Sequence, residues 1–164
     1  MSQDKEMSIL AALKDLGAWC KSPGDYERSG CHASFFIDAG ALKDAAVKLL
    51  ERGWFLEDIS GVDVEEGVML AYHFDRYDRA ERVVLRLVAA RPGLSAPSIA
   101  GVYQGADWHE RECFDFFGVI FQGHPGLKPL LLPDDLGMHP LVKQQGRKSL
   151  HGLLPQDQLV DVEP

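Results

Sequence analysis

The sequence is short of cysteine, of basic side chains and of long apolar runs, and each shortage closes off a class of protein. Its three cysteines, Cys20, Cys31 and Cys113, stand far apart with no Cys-x-x-Cys pair. That spacing suits buried free thiols and argues against a disulfide framework, a zinc ribbon or an iron–sulfur ligand set. Lys and Arg number 17 against 25 Asp and Glu, a net charge of −8. Such a balance gives no basic footprint for nucleic acid or an anionic membrane. No apolar run approaches the roughly 20 residues that span a bilayer. The longest, residues 83–90, is interrupted by Arg86 and has strand length. The opening Met-Ser-Gln-Asp-Lys-Glu lacks the basic-then-apolar order of a signal peptide, so a cytoplasmic location is expected. There is no glycine-rich phosphate loop and no internal repeat.

Proline is scarce until residue 123 and then abundant. Six of the nine prolines (Pro125, Pro129, Pro133, Pro140, Pro155 and Pro164) fall in the last 42 residues. Two parts are therefore expected: a folded domain over residues 1–122, and an extended docking segment over 123–164 that loses order after about residue 145. That segment keeps Leu127, Leu130, Leu131, Leu132, Leu141, Leu150, Leu153 and Leu154, more apolar material than a solvated linker carries. It is expected to lie first along its own domain and then along a partner.

Within the domain the periodicity predicts an amphipathic helix over 7–17 (Ile9, Leu10, Leu13, Leu16), a turn at 22–25 and a strand over 31–38. A second helix follows over 42–52, with Leu42, Ala45, Ala46, Leu49 and Leu50 on one stripe. Strands over 55–63 and 68–75 are joined by Glu65-Glu66-Gly67, a hairpin signal. The near-continuous apolar stretch 82–90 reads as a central strand covered on both faces. Residues 98–103 read as a short helix. A last helix is expected over 107–117, opened by Asp107 three residues before Glu110 and closed by Gly118. The order predicts an α+β fold: a mostly antiparallel sheet with helices on one face, plus the irregular extension.

The most informative stretch is 108–125. Four charged residues (Glu110, Arg111, Glu112, Asp115) lie among Trp108, Phe114, Phe116, Phe117 and Phe121, and Gly123-His124-Pro125 closes it. Charge this dense beside aromatics is costly to bury unpaired and leaves many rings wet if exposed. On a helix, Cys113, Phe114 and Phe117 form an apolar stripe with Glu110 set among them, while Arg111 and Asp115 are spaced to pair. Glu110 is then the residue most in need of a partner. A surface completed by another protein resolves the conflict; a surface helix with internal salt bridges is the plainer alternative. Enzymatic readings are weaker. His109-Glu110 begins a His-Glu-x-x-His pattern, but Cys113 stands where the second histidine would be. Cys113 with His124 as nucleophile and base has no electropositive surroundings.

These residues carry a resemblance. Glu-Arg-Glu at 110–112, Asp115 followed by two apolar residues and Gly118, then Phe121, Gly123-His124-Pro125, Leu127-Lys128 and Leu130-Leu131, resemble the signature of the 30-kDa subunit family of respiratory complex I. Pro97-Ser98, Ala106-Asp107-Trp108, Pro133-Asp134-Asp135, His139-Pro140-Leu141 and Lys143 agree as well. The likeness covers about 95–145 at motif level, and only the order of elements before that. The resemblance implies a non-catalytic structural and assembly subunit of a membrane-associated redox complex, peripheral on the cytoplasmic side. It would hold no cofactor and pack against the large hydrogenase or complex I protein that shapes a quinone site or, in energy-converting hydrogenases, holds nickel–iron. Iron–sulfur clusters, with nickel–iron or flavin, are expected in partner subunits. The interface residues it implies are Trp108, Glu110, Arg111, Glu112, Asp115, Phe121, His124, Pro125, Lys128 and Lys143. An apolar docking face without its partner is expected to let the isolated chain form a homodimer. Departures exist: Lys128-Pro129 replaces a pair of arginines, Leu136-Gly137-Met138 replaces Trp-Glu-Gly, and Val142 replaces Arg. Lost guanidinium groups mean lost bidentate contacts, which inclines the reading toward a hydrogenase-type complex. A stand-alone Cys/His enzyme and an unrelated protein-binding module are the alternatives.

Overall fold

The computed structural model describes residues 8–150 and 160–161. Five long strands make the sheet: β1 (Ala18–Pro23), β2 (Ala33–Ile37), β3 (Trp54–Asp63), β4 (Gly67–Arg76) and β5 (Val83–Ala90). Their order is β3-β4-β5-β2-β1, with the two-residue β8 (Val160–Asp161) on the outer edge of β1. Every pairing is antiparallel except β2 with β5. A parallel pair needs a crossover, and the helix α2 (Leu42–Glu51) with the β3–β4 hairpin lies between those two strands in sequence. A second, two-stranded parallel sheet joins β6 (Ser95–Pro97) to β7 (Ile120–Gln122) and brackets the helix α3 (Ala106–Phe117). A one-turn helix α1 (Tyr26–Ser29), capped by Asp25, follows β1. The expected α+β fold with helices on one face of a mostly antiparallel sheet is what the chain forms.

Alternation along the strands sends one set of side chains into the core: Phe35 and Ile37, Val68, Leu70, Tyr72 and Phe74, and Val83, Leu85 and Leu87. Leu42, Ala45, Ala46 and Leu49 of α2, Ile9 and Leu10 of the helical residues 8–12, and Ala106, Cys113 and Phe117 of α3 cover them. A buried leucine or phenylalanine of this kind contributes about 2 kcal/mol. Two close approaches need glycine. A Cβ on Gly67 would stand 2.1 Å from the Ala89 carbonyl oxygen, and one on Gly61 would stand 2.7 Å from the Phe117 ring.

The structure corrects several expectations. Residues 18–23 form a strand, and the turn begins only at Gly24; Ser22 and Pro23 pair with Ser34 and Ala33, which proline tolerates at a strand end. The first helix is regular only over 8–12 and then tightens into turns, although Leu13 and Leu16 remain buried; Met7 lies outside the described residues. Leu50 leaves the apolar stripe and is exposed. Residues 98–103 make one turn instead of a helix, because the Ser98 hydroxyl and the Ile99 amide are turned toward Glu110. Strand β5 is central; Val83, Leu85 and Leu87 face the helices, and on the other face Val84 is fully buried with Cys31 and Ala71 while Arg86 and Val88 are half-buried.

Candidate functional site: the signature helix and the strap it holds

The helix α3 begins at Ala106 with Gly105 as an N-cap that offers no side chain, so Asp107 does not open it. It ends at Gly118, whose φ of 75° and amide bond to the Phe114 carbonyl form a left-handed cap. That cap also gives the returning chain room. A Cβ on Gly118 would lie 2.7 Å from the ring of His139.

Glu110 points inward and is 0% exposed. Its Oε2 accepts the Ser98 hydroxyl at 2.6 Å and its Oε1 accepts the Ile99 amide at 2.7 Å. Burial raises its pKa; those two hydrogen bonds and the nearby His124 ring, 3.9 Å away, oppose the rise without cancelling it. His124 has a fully buried imidazole. Its Nδ1 accepts the Gly126 amide at 3.0 Å, which leaves the ring proton of the neutral form on Nε2 to face Asp107 Oδ1 at 3.0 Å. Ser98, Asp107, Glu110 and His124 thus form a closed polar knot that joins β6, α3 and the turn after β7.

Arg111 and Asp115 do not pair. The Arg111 guanidinium donates to the carbonyls of Lys128 (3.1 Å) and Pro129 (2.9 Å). Asp115 Oδ2 accepts three successive amides, from Leu130 and Leu131 at 2.7 Å and from Leu132 at 3.2 Å. Burial alone would raise the Asp115 pKa, but the three amides and the Arg111 charge outweigh it and hold the carboxyl below its usual range. One helix face therefore reads a strap of backbone through its carbonyls and its amides in turn, which explains how a proline-rich segment is held without regular structure.

The strap continues across the domain. His139 Nδ1 donates to the Asp115 carbonyl at 2.8 Å and the Leu141 amide to the Phe116 carbonyl at 3.1 Å. The buried Asp63, at the end of β3, accepts the Lys143 amide and Arg147 Nε, each at 2.8 Å, and is also paired with Arg91. Burial raises the Asp63 pKa, but these donors more than reverse the shift. Arg91 in turn holds the Val64 and Gly67 carbonyls of the β3–β4 turn. Glu66 receives the Ser149 hydroxyl at 2.7 Å and the Leu150 amide. Residues 146–150 are thus tied to the β3–β4 hairpin; 151–159 and 162–164 lie outside the described residues, as do Leu153 and Leu154.

The ten expected interface residues therefore divide. Glu110, Asp115 and Phe121 are buried, and the His124 ring is enclosed, so these four act within the chain. Arg111 is bound to the strap. Trp108, Glu112, Pro125, Lys128 and Lys143 are exposed, with Trp108 66% exposed. Near them the strap shows Leu131, Leu136, Met138 and Leu141 to the outside. A groove of about 260 Å³ runs between β3 and α3, floored by Ile59, Cys113 and Phe116, flanked by Leu141 and carrying the carboxylates Asp58 and Glu112. Asp63, Glu66, Arg91 and Arg147 escaped the sequence reading. The signal of Asp63, Glu66 and Arg91 was charge at the ends of strands, which is common on any surface; Arg147 lies in the strap, outside any strand.

Cys113 is not placed as a nucleophile. Its thiol is buried, donates weakly to the Ile59 carbonyl at 3.7 Å, and is pushed up to about 12 by burial and by the carboxylates of Glu112, Asp58 and Glu110. Among the described residues no three His, Cys, Asp or Glu side chains gather as a metal site.

The profile of the family described as respiratory-chain NADH dehydrogenase, 30 Kd subunit, matches residues 35–149, from the middle of β2 to the last anchored residues of the strap. The chain belongs to that family. Among curated relatives of this family member, the C-type subunit of the NADH-quinone oxidoreductase of a Roseiflexus species is 41% identical over 92 residues, 54% of this chain and 53% of that protein. The C-type subunit of the F(420)H(2) dehydrogenase of Methanosarcina mazei is 36% identical over 132 residues, 75% of this chain and 84% of that protein. The chain spans about half the length of the NADH-quinone oxidoreductase subunits it matches first. Two solved structures share the fold. A chain of the membrane-bound sulfane sulfur reductase, an archaeal respiratory membrane complex, superposes with a TM-score of 0.74 at 21% identity, covering 91% of this chain and 89% of that one. The trypsin-resistant fragment of Nqo5 superposes at 0.62 with 21% identity, covering 77% and 100%. No helix among the described residues is long and apolar enough to cross a membrane.

Proposed function

We propose that this family member is a structural and assembly subunit of a membrane-associated redox complex of the NADH:quinone oxidoreductase and hydrogenase type. It packs against the large subunit that carries the quinone or nickel–iron site, and it sits peripherally on the cytoplasmic side. One observation carries the reading: the signature's polar groups are consumed in pinning a strap to α3, while Trp108 and the strap's Leu131, Met138 and Leu141 are left exposed beside Glu112. Internal satisfaction of this extent with large apolar side chains turned outward suits a surface that another protein completes. The names of the relatives support the same class of assembly. The redox groups (iron–sulfur clusters, with flavin or nickel–iron) then belong to neighbouring subunits.

The test uses the full chain expressed in its native membranes with Trp108→Ala and Glu112→Ala together. Both positions are exposed, so the isolated chain should melt as the parent does. Recovery of partner subunits should fall about tenfold or more, the scale of a lost aromatic anchor. Unchanged recovery and unchanged redox activity would refute the reading. Metal and flavin analysis of the parent complex identifies its type: nickel with hydrogen-dependent activity marks a hydrogenase, and flavin with NADH oxidation marks the other branch. Recovery of the chain alone under gentle conditions counts against the subunit role.

A further inference from the structure

Strand β3 is the last strand of the sheet on its side, so one row of its backbone groups has no strand to pair with. In an antiparallel pair, alternate residues turn their N–H and C=O away from the partner. The Val64 amide is bonded to the Gly67 carbonyl across the hairpin, so Ile59, Gly61 and Asp63 are the residues turned outward. The chain closes this edge at both ends by itself. Near its start the Tyr103 hydroxyl donates to the Trp54 carbonyl at 3.1 Å, and beyond its end the Glu65 amide donates to the Lys148 carbonyl at 3.2 Å. The middle stays open. There the Ile59 carbonyl accepts the weak Cys113 thiol at 3.7 Å, and among the described residues no backbone group from outside the β3–β4 ladder binds Gly61.

This open stretch is one wall of the groove described above, and α3 is the other. At about 30 Å³ per water, the groove's volume of about 260 Å³ suits one long side chain and is too small for a second strand. Its floor is apolar, with Ile59 and Cys113 buried and Phe116 half-buried. Two carboxylates stand over that floor. Asp58 faces the His109 ring at 3.3 Å, an ion pair only when the ring is protonated. Glu112 is exposed and has no hydrogen-bond or ion-pair partner among the described residues. Both carboxylates help to raise the pKa of the Cys113 thiol, so their fields overlap inside the groove. The nearest cation on the helix, Arg111, is spent on the strap carbonyls.

We propose that this groove receives one long cationic side chain, an arginine or a lysine, from a partner subunit. Charge complementarity selects the occupant. The apolar floor takes the methylene stem, and the charged head meets Asp58, Glu112 and the outward carbonyl of Gly61. Every polar group it would meet at the head is an acceptor, which suits a group that carries donors alone. A bare divalent ion fits poorly, because two carboxylates over an apolar floor leave most of its six or more oxygen positions unfilled. A second copy of this chain is disfavoured, since each copy carries a net charge of −8 and would bring its own acidic groove toward its mate. Trp108, one turn before Glu112 on the helix, lies beside the groove and extends the same contact. The inference rests on the subunit reading above and names the chemistry that the partner brings to it.

The test replaces Asp58→Asn and Glu112→Gln together in the full chain, which removes both charges and keeps both shapes. The isolated variant should melt as the parent does, and recovery of partner subunits from native membranes should fall about tenfold or more. Glu112→Lys, at an exposed position, is the second variant. It should also melt as the parent does, and its loss of recovery should be worse at low salt than at high salt, because like charges then repel with less screening. Full recovery with both variants overturns the proposal. So does a homodimer of the isolated parent that the double variant dissolves, because the occupant is then a second copy. A rise in the parent's melting temperature with calcium or magnesium that the double variant abolishes overturns it too, in favour of a metal. Loss of partners with Trp108→Ala and Glu112→Ala together, beside full recovery with Asp58→Asn and Glu112→Gln, overturns this inference and leaves the subunit reading standing. A parent chain that recovers no partner removes both.

Discussion

Arg111 and Asp115 stand four residues apart on one helix and ignore each other: the cation binds the carbonyls of Lys128 and Pro129, the anion the amides of Leu130, Leu131 and Leu132. Four-residue spacing would give a surface ion pair worth a few tenths of a kcal/mol. Binding backbone instead satisfies groups that a proline-rich segment cannot pair within itself.

Asp115→Ala should therefore destabilise the chain by about 2–4 kcal/mol, the scale of removing a buried hydrogen-bonded anion. The loss should be local first. Hydrogen exchange is expected to quicken at residues 130–132 before it does in β4 and β5, and exchange that stays protected there would refute the role given to Asp115.

Stability should depend on pH in two opposite senses. Asp63 and Asp115 have folded-state pKa values below the ordinary 3.8, so their contribution is complete above that value and is lost as pH falls through the folded values. Glu110 is raised above its ordinary 4.5, so the fold favours its protonated form, and stability gains as pH drops from neutral toward 4.5. Denaturant titrations should show a stability maximum on the acid side of neutrality for the parent chain, and Glu110→Gln should flatten that rise. Parallel curves for the two chains over this interval would contradict the assignment.

Cys113 should resist thiol reagents at pH 8 in the folded chain and react fully on unfolding, since its thiol is buried and its pKa stands at about 12. Rapid labelling of the native chain near neutrality would instead reopen the reading of Cys113 as a nucleophile.

Gly118→Ala should cost about 2 kcal/mol or more. An L side chain pays about 1–2 kcal/mol at positive φ, and the added methyl would also meet His139 at 2.7 Å. Melting temperature should fall, and proteolysis at 138–142 should quicken as the strap lifts. A variant with parent stability would mean that the strap does not pack against this cap.

Amphipathic periodicity was enough to place α2 and three of the long strands, because burial on one face imposes a period of 3.6 or 2 on any such element. Strand β1 was illegible because Ser22, Pro23 and Gly24 spell a turn locally, and only pairing with β2 makes the first two of them strand. The turn at 98–103 failed for the same reason, its donors being claimed by Glu110 from twelve residues away.

The sequence by itself determined the family, the existence of a charged helix over about 107–117 and the need of Glu110 for a partner, since these follow from residue identity and spacing. Only the tertiary structure decided where those charges point. Whether a carboxylate is answered by another protein, by a neighbour four residues away or by the backbone of its own chain depends on which donors the fold brings within about 3 Å, and no local pattern encodes that.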